Sequence, residues 1–249
     1  MVIFLTQIKT RSFEKVQKLS RIPQHIGVIP DGNRRFARKN NLNLHQAYEI
    51  GIKKVREFLS WCREFDIKYV TIYSLSHENL IGRSQLELNT IFNLMEKHLK
   101  SVPNDEDIHE NEVRVIIAGD KSILPKRVID AINIAEQSTE NYNKYYLILL
   151  IGYSGRKEIL DAIKKLISLN VNPEDITVET FKKYLYVPDI PDPDLVIRTS
   201  GEYRISNFLI WQIAYSELYF AKPLWPEFSR EDFIEALVEY SKRERRYGR

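Results

Sequence analysis

The chain is predicted to fold as a single α/β domain, a central, mainly parallel six-stranded sheet with helices on both faces. Three observations predict it. Apolar, β-branched runs recur along the chain, long segments of helical period separate them, and nothing between them resembles a flexible linker. Strands that alternate with long helices need crossover connections, which set the strands parallel and cover both faces of the sheet.

The strand-like runs lie at 26–29, 69–75, 113–118, 145–151 and 195–197, with a weaker one at 218–220. Helical spacing of apolar residues covers 45–65, 84–102, 122–141, 154–169, 207–216 and 230–246. Pro125 and Pro173 fall near helix starts, and Ser229 with Asp232 has the spacing of a capping box. The acidic stretch 103–111 reads as a solvated loop. Residues 188–194 are proline-locked and enter the next strand directly. One domain spanning 25–249 is expected, preceded by a helical extension at 1–24.

Composition excludes several classes. With 43% hydrophobic and 29% charged residues, the chain of 249 residues is an ordinary globular protein able to bury a full core. A net charge of +3 is too small to imply nucleic acid. The single cysteine, Cys62, rules out an internal disulfide or a cysteine-cluster zinc site, and suits a reducing cytoplasm. No apolar run reaches the length of a membrane span. Met1 to Leu5 are apolar, but Lys9 and Arg11 follow them rather than precede them, unlike a secretory signal.

Three strand ends carry dense polar sets. After 195–197 come Arg198, Glu202, Arg204, Ser206 and Asn207. Guanidinium groups at the carboxyl end of a parallel strand suit diphosphate oxygens, which they match bidentately. After the first strand, Asp31, Gly32, Asn33, Arg34 and Arg35 lead into a short helical run with Arg38. Free amides at a helix start attract phosphate, and Gly32 lets the chain turn tightly. Asp31 would repel such a ligand unless a cation such as Mg²⁺ lay between them. After the second strand come Ser76, His77, Glu78, Asn79, Arg83 and Glu87. Blander readings apply to each alone: Asp31 and Asn33 as turn residues, Ser76 as a helix cap, His77 as a solvated loop histidine. Convergence of all three ends favours a site.

Together these stretches resemble the cis-prenyltransferase family of the undecaprenyl diphosphate synthase type. The likeness runs from about His25 to Arg246. It rests on His25 to Ala37, Tyr73 to Asn79, the long block Asp194 to Phe220, and Leu224 to Phe228. The resemblance implies sequential condensation of isopentenyl diphosphate onto an allylic diphosphate, farnesyl or geranylgeranyl, with each new double bond cis. It also implies an apolar tunnel for the growing chain. Asp31 would bind Mg²⁺ and assist departure of the allylic diphosphate, which Gly32, Asn33, Arg34 and Arg35 would cradle beside Phe36. Arg198, Arg204 and Ser206, with Ile205 between them, would hold isopentenyl diphosphate, and Glu217 would be the second metal ligand. Asn79 would stand near the deprotonated carbon, flanked by Ser76, His77 and Glu78, with Arg83 and Glu87 matching the charged pair that follows. Leu75, Ile148 and Leu150 are candidates for the tunnel wall, with plain core the alternative reading for each.

Departures from the common pattern are Arg34 for glycine, Phe36 for tryptophan, Leu44 and Tyr48 for arginine and histidine, Leu80 for tryptophan, and Tyr203 for histidine. The changes at Leu44 and Tyr48 argue against a bacterial-type preference for farnesyl diphosphate. Arg246 and Gly248 are similar to the family's terminal Arg-x-Gly, which implies a homodimer. The basic tail and the 1–24 extension also suit peripheral membrane contact. Two alternatives stand beside this reading: a non-catalytic subunit of a heteromeric enzyme, and an Mg-dependent glycosyltransferase using Asp192 and Asp194.

Overall fold

The computed structural model describes residues 19–243. Its six strands are β1 (His25–Ile29), β2 (Tyr69–Ser76), β3 (Val113–Ala118), β4 (Tyr145–Tyr153), β5 (Leu195–Arg198) and β6 (Glu217–Phe220). They form one sheet in the order β3-β4-β2-β1-β5-β6, and every pairing is parallel. The chain builds leftward from β1 through β2 and then returns to add β5 on its other side. The carboxyl ends of β1, β2 and β5 therefore flank a topological switch point, where open α/β sheets leave a crevice.

The principal helices are α1 (Asn33–Lys39), α2 (Leu44–Glu64), α3 (His77–Gly82), α4 (Gln85–Ser101), α5 (Glu106–Glu110), α6 (Lys126–Thr139), α7 (Gly155–Ser168), α8 (Val178–Lys182) and α9 (Arg230–Lys242). Capping follows the sequence. Asn43 and Gln46 make a capping box on α2, and Ser229 and Asp232 make the expected one on α9. Ser76 does cap α3, accepting from the Asn79 N–H at 3.0 Å.

Alternation along each strand divides the core. Ile26, Val28, Val70, Ile72, Leu195 and Ile197 face α2 and α9, packed with Phe58, Trp225, Phe228 and Phe233. Val196, Ile148, Leu150 and Tyr73 face the opposite way, onto Phe208, Leu209 and Ile213.

Two expected elements differ. No helix forms over 207–216. Positive φ angles at Ser206, Asn207 and Leu209 break the chain into turns that press Phe208 onto the sheet. A Cβ on Gly27 would lie 2.8 Å from the Phe208 ring, so glycine admits that ring. The apolar spacing mimicked a helix because Phe208, Leu209 and Ile213 all point into the core. The 103–111 stretch is not a plain loop but a 3₁₀ turn (Val102–Asn104) followed by α5. Asp105 caps that helix, and Glu106 and Asp107 sit in its first turn, where acidic side chains favour the dipole. Residues 19–24 carry no helix; the rest of the expected 1–24 extension, and Arg246 with Gly248, lie outside the described residues.

Candidate active site

The tips of β1, β2 and β5 open into a cavity of about 920 Å³. Its mouth is lined by Asp31, Asn33, Arg34, Arg35, Arg38, Ser76, Glu78, Asn79, Arg83, Arg198, Arg204 and Ser206, together with Gly32. Three separate polar stretches of sequence thus meet in one place. Local backbone chemistry explains how. Gly32 has φ +115°, which side chains rarely tolerate, and a Cβ there would come within 2.9 Å of Leu224. Irregular pairing of β2 with β4 at Tyr73, Leu75 and Ser76 re-aims the last residues of that strand.

Arg198 is the hub. Its side chain is only 4% exposed and donates to Asp31 Oδ2 at 2.8 Å, Ser206 Oγ at 2.7 Å and the Arg204 carbonyl at 2.6 Å. Its buried Nε has no partner among the described residues. Arg35 donates to Ser200 Oγ at 2.6 Å, and its guanidinium stands 3.2 Å from Asp31 Oδ1. The Glu202 carboxylate lies between Arg35 and Arg204 and pairs with both. Partial burial pushes the Asp31 carboxyl upward, but Arg198, then Arg35 and Ser200, outweigh it and hold it below the ordinary value. Asp31 is thus kept ionised beside guanidinium groups that can also take an anionic ligand.

On the other side of the mouth, Tyr48 bridges the charged pair. Arg83 donates to its hydroxyl at 2.9 Å, and the hydroxyl donates to Glu87 at 2.7 Å. Burial, then the Glu87 contact, raises the Tyr48 pKa well above its usual value, so it stays a neutral donor. Arg83 and Glu87 do pair, at 3.3 Å.

Below the mouth the wall becomes apolar. Ile52, Val55 and Leu59 of α2, Ile91 and Leu94 of α4, and Leu147, Leu149 and Ile151 of β4 enclose the channel against the sheet. Of the two readings for Ile148, Leu150 and Leu75, core holds: Ile148 and Leu150 point to the opposite face of the sheet, and Leu75 is buried in the cluster beside the channel.

Some expected residues do not converge. Phe36, His77 and Ile205 lie outside the cavity lining, and Glu217 is distant. Glu217 pairs in register with Leu195, three residues before Arg198, or about 10 Å down the strand. It binds Arg243 there at 2.7 Å. One chain therefore does not bring Glu217 to Asp31, and no cluster of three or more metal-binding side chains occurs among the described residues. Nor do Asp192 and Asp194 form a site. Asp192 pairs with Lys182, and Asp194 accepts the N–H groups of Gln24 and His25 at 2.8 and 3.1 Å. Ser200 and the Tyr48 bridge were not singled out as site groups from the sequence. The run of polar residues after Arg198, which includes Glu202, was the available signal for Ser200. No helix of the described residues is long and apolar enough to cross a membrane.

The family model described as "Putative undecaprenyl diphosphate synthase" matches residues 29–248. A Thermoplasma acidophilum protein is 48% identical over 240 residues, which is 95% of this chain and 92% of that one. It is named tritrans,polycis-undecaprenyl-diphosphate synthase (geranylgeranyl-diphosphate specific). A Methanopyrus kandleri protein of the same name is 45% identical over 243 residues, 96% of this chain and 89% of that one. Among solved structures, lavandulyl diphosphate synthase from Lavandula x intermedia, in complex with dimethylallyl diphosphate, superposes with a TM-score of 0.85. It is 32% identical over 91% of this chain and 98% of that one.

Proposed function

The chain belongs to the undecaprenyl diphosphate synthase family, and from that premise we propose that it elongates an allylic diphosphate with isopentenyl diphosphate to a long-chain Z-polyprenyl diphosphate, precursor of a lipid glycosyl carrier. The observation that carries the reading is a single cavity joining an arginine-rich mouth to an apolar channel. Geranylgeranyl diphosphate is the proposed primer, in line with the names of the archaeal relatives.

In each round the allylic C–O bond breaks and inorganic diphosphate leaves with the electron pair. The terminal alkene carbon of isopentenyl diphosphate bonds to the allylic carbon, and a proton is lost from the adjacent methylene. Asn33, Arg34, Arg35 and the amides after Gly32 are assigned to the allylic diphosphate. Arg198, Arg204 and Ser206 are assigned to that of isopentenyl diphosphate. Asn79 is assigned to orient the carbon that loses its proton, with Ser76 setting its backbone. The apolar channel keeps water from the electron-deficient carbon.

Asp31 suits a hard divalent cation: an ionised oxygen donor at the mouth, where one carboxylate plus diphosphate oxygens is a usual Mg²⁺ set. Mg²⁺, when bound, supplies positive charge to the departing diphosphate. Glu217 joins that set only if a second copy presents it, which ties its assignment to a homodimer. Incubation with isopentenyl diphosphate, primers of different lengths and Mg²⁺, followed by chromatography of the lipids, tests the reading. Long Z-polyprenyl products from the C20 primer, abolished by chelator, are expected. Absence of any condensation would overturn it.

A further inference from the structure

Helix α3 carries Asn79 to the mouth, yet none of its six residues is buried. Apolar packing therefore does little to fix where it sits, and polar ties must do so. Ser76 caps its start. Just past its other end, Arg83 reaches the Tyr48 hydroxyl on α2. A third tie crosses to the loop after β5: Glu78 Oε1 accepts from Asn207 Nδ2 at 2.8 Å. Partial burial pushes the Glu78 carboxyl upward, but its own N–H, then Asn207 and Ser76, outweigh it and hold it below the ordinary value. An ionised carboxylate can only accept, so the amide of Asn207 is the donor.

Asn207 is itself held from several sides. It has a left-handed φ of 64° and follows Ser206, whose hydroxyl binds Arg198. Asparagine takes that conformation more readily than most side chains do. The Asn207 carbonyl accepts the Gly155 N–H at 2.9 Å, and its Oδ1 accepts the Arg156 N–H at 3.0 Å. Two free amides at the start of α7 are thus satisfied from outside the helix, while Ser154 makes no side-chain cap there. A Cβ on Gly155 would lie 2.9 Å from the Asn207 carbonyl oxygen, so the loop sits directly on the helix. With Oδ1 committed to an N–H, the amide nitrogen is left for the Ser154 and Glu78 oxygens. One side chain joins the loop after β5, the start of α7 and α3.

We propose that Asn207 is a positioning residue that holds the Arg198, Arg204 and Ser206 cradle and the Asn79 amide at one fixed spacing for the condensation. This rests on the elongation reading above. There the cradle takes the diphosphate of isopentenyl diphosphate, and Asn79 orients the carbon of the same molecule that loses its proton. Two groups that grip one small substrate from different elements must keep their distance, because a misplacement of about 1 Å can cost on the order of 10²-fold in rate. Asn207 follows Ser206 in the chain and Glu78 precedes Asn79, so their hydrogen bond joins the immediate neighbours of the two groups.

The rate of a single condensation, measured by rapid quench on the full chain, tests this with a reversed hydrogen bond. Asn207→Asp keeps an acceptor for the Arg156 N–H but sets two carboxylates against each other. The rate is expected to fall about tenfold or more, with KM for the primer within about twofold of the wild type. Adding Glu78→Gln to that variant gives the new carboxylate an amide donor, and the rate is expected to return to within about threefold of the wild type. A purely structural role would instead lower the melting point and leave the rate per folded molecule intact. An unchanged rate in Asn207→Asp, or a loss that Glu78→Gln does not relieve, would overturn the proposal. If Asn207→Asp does not fold, Glu78→Ala, which spares the α7 contacts, decides alone: a similar fall supports the tie and a wild-type rate refutes it. A wild-type chain that makes no polyprenyl product would count against the proposed function instead.

Discussion

The two ends of the sheet use the same residue types to opposite effect. At the carboxyl end, Asp31, Arg35, Arg198, Glu202 and Arg204 face one cavity, on backbone with positive φ at Gly32, Ser200 and Ser206. The buried Arg198 Nε has no partner among the described residues. At the amino end, Asp194 accepts backbone N–H groups, Asp192 holds Lys182, and Glu217 holds Arg243. His25 fits between the Pro191 carbonyl at 2.6 Å and Thr71 Oγ1 at 2.8 Å. At the carboxyl end these charged groups converge on one cavity, whereas at the amino end each is taken up by a separate partner in the frame. A carboxylate is informative by what surrounds it, not by being a carboxylate.

If the comparison holds, substitutions at the carboxyl end cost activity and those at the amino end cost stability. The largest effect is expected from Asp31→Ala: a fall in kcat on the order of 10²- to 10³-fold in a chain that still folds, with a lower thermal midpoint because the buried Arg198 loses its carboxylate partner. Steady-state kinetics beside a melting curve checks both halves, and wild-type turnover would refute the assignment. Next is His25. Burial lowers its pKa from 6.5 to about 4, against opposing contributions from Pro191 and Asp194. The unfolded chain then binds more protons than the folded one across that range. Stability is fully present above pH 6.5 and falls by roughly 3 kcal/mol as pH drops toward 4. Urea unfolding at several pH values should show this loss in the wild type and its absence in His25→Gln.

Asp194→Ala is expected to orphan two N–H groups and cost about 1–3 kcal/mol, with kcat per folded molecule unchanged. A large kcat loss in that variant would revive the amino end as a site. The smallest effect belongs to Arg204→Ala, whose side chain is 58% exposed. Its KM for isopentenyl diphosphate should rise about tenfold, as for loss of one charged hydrogen bond, and more than that for the primer. The reverse order would mean the two diphosphate positions are exchanged.

Much of this was legible in the sequence. Each apolar run became a strand, because a parallel strand buried on both faces needs continuous β-branched residues and leaves a plain signature. The three polar stretches were legible as well, since a strand tip converts sequence position into spatial position. The finer detail was less so. Ile148 and Leu150 were weighed as channel wall or plain core and are core; a run apolar at every position does not say which face meets a cavity. Residues 207–216 had helical spacing, yet positive φ angles at Ser206, Asn207 and Leu209 break the chain, held by distant partners: Phe208 packs against Gly27, Arg198 binds Ser206, and Asn207 bonds Ser154 and Arg156. Glu217 sits in the same long motif as Arg198, but motif proximity hides a strand that runs back from the other end of the sheet.

The most direct test is a crystal of the full chain soaked with isopentenyl diphosphate, Mg²⁺ and a thio-diphosphate analogue of the C20 primer. Two diphosphates should appear, one against Arg198, Arg204 and Ser206 and one at the amides after Gly32, with the hydrocarbon running between Leu147 and Leu59. Diphosphates bound elsewhere, or a chain lying outside the channel, would contradict the account.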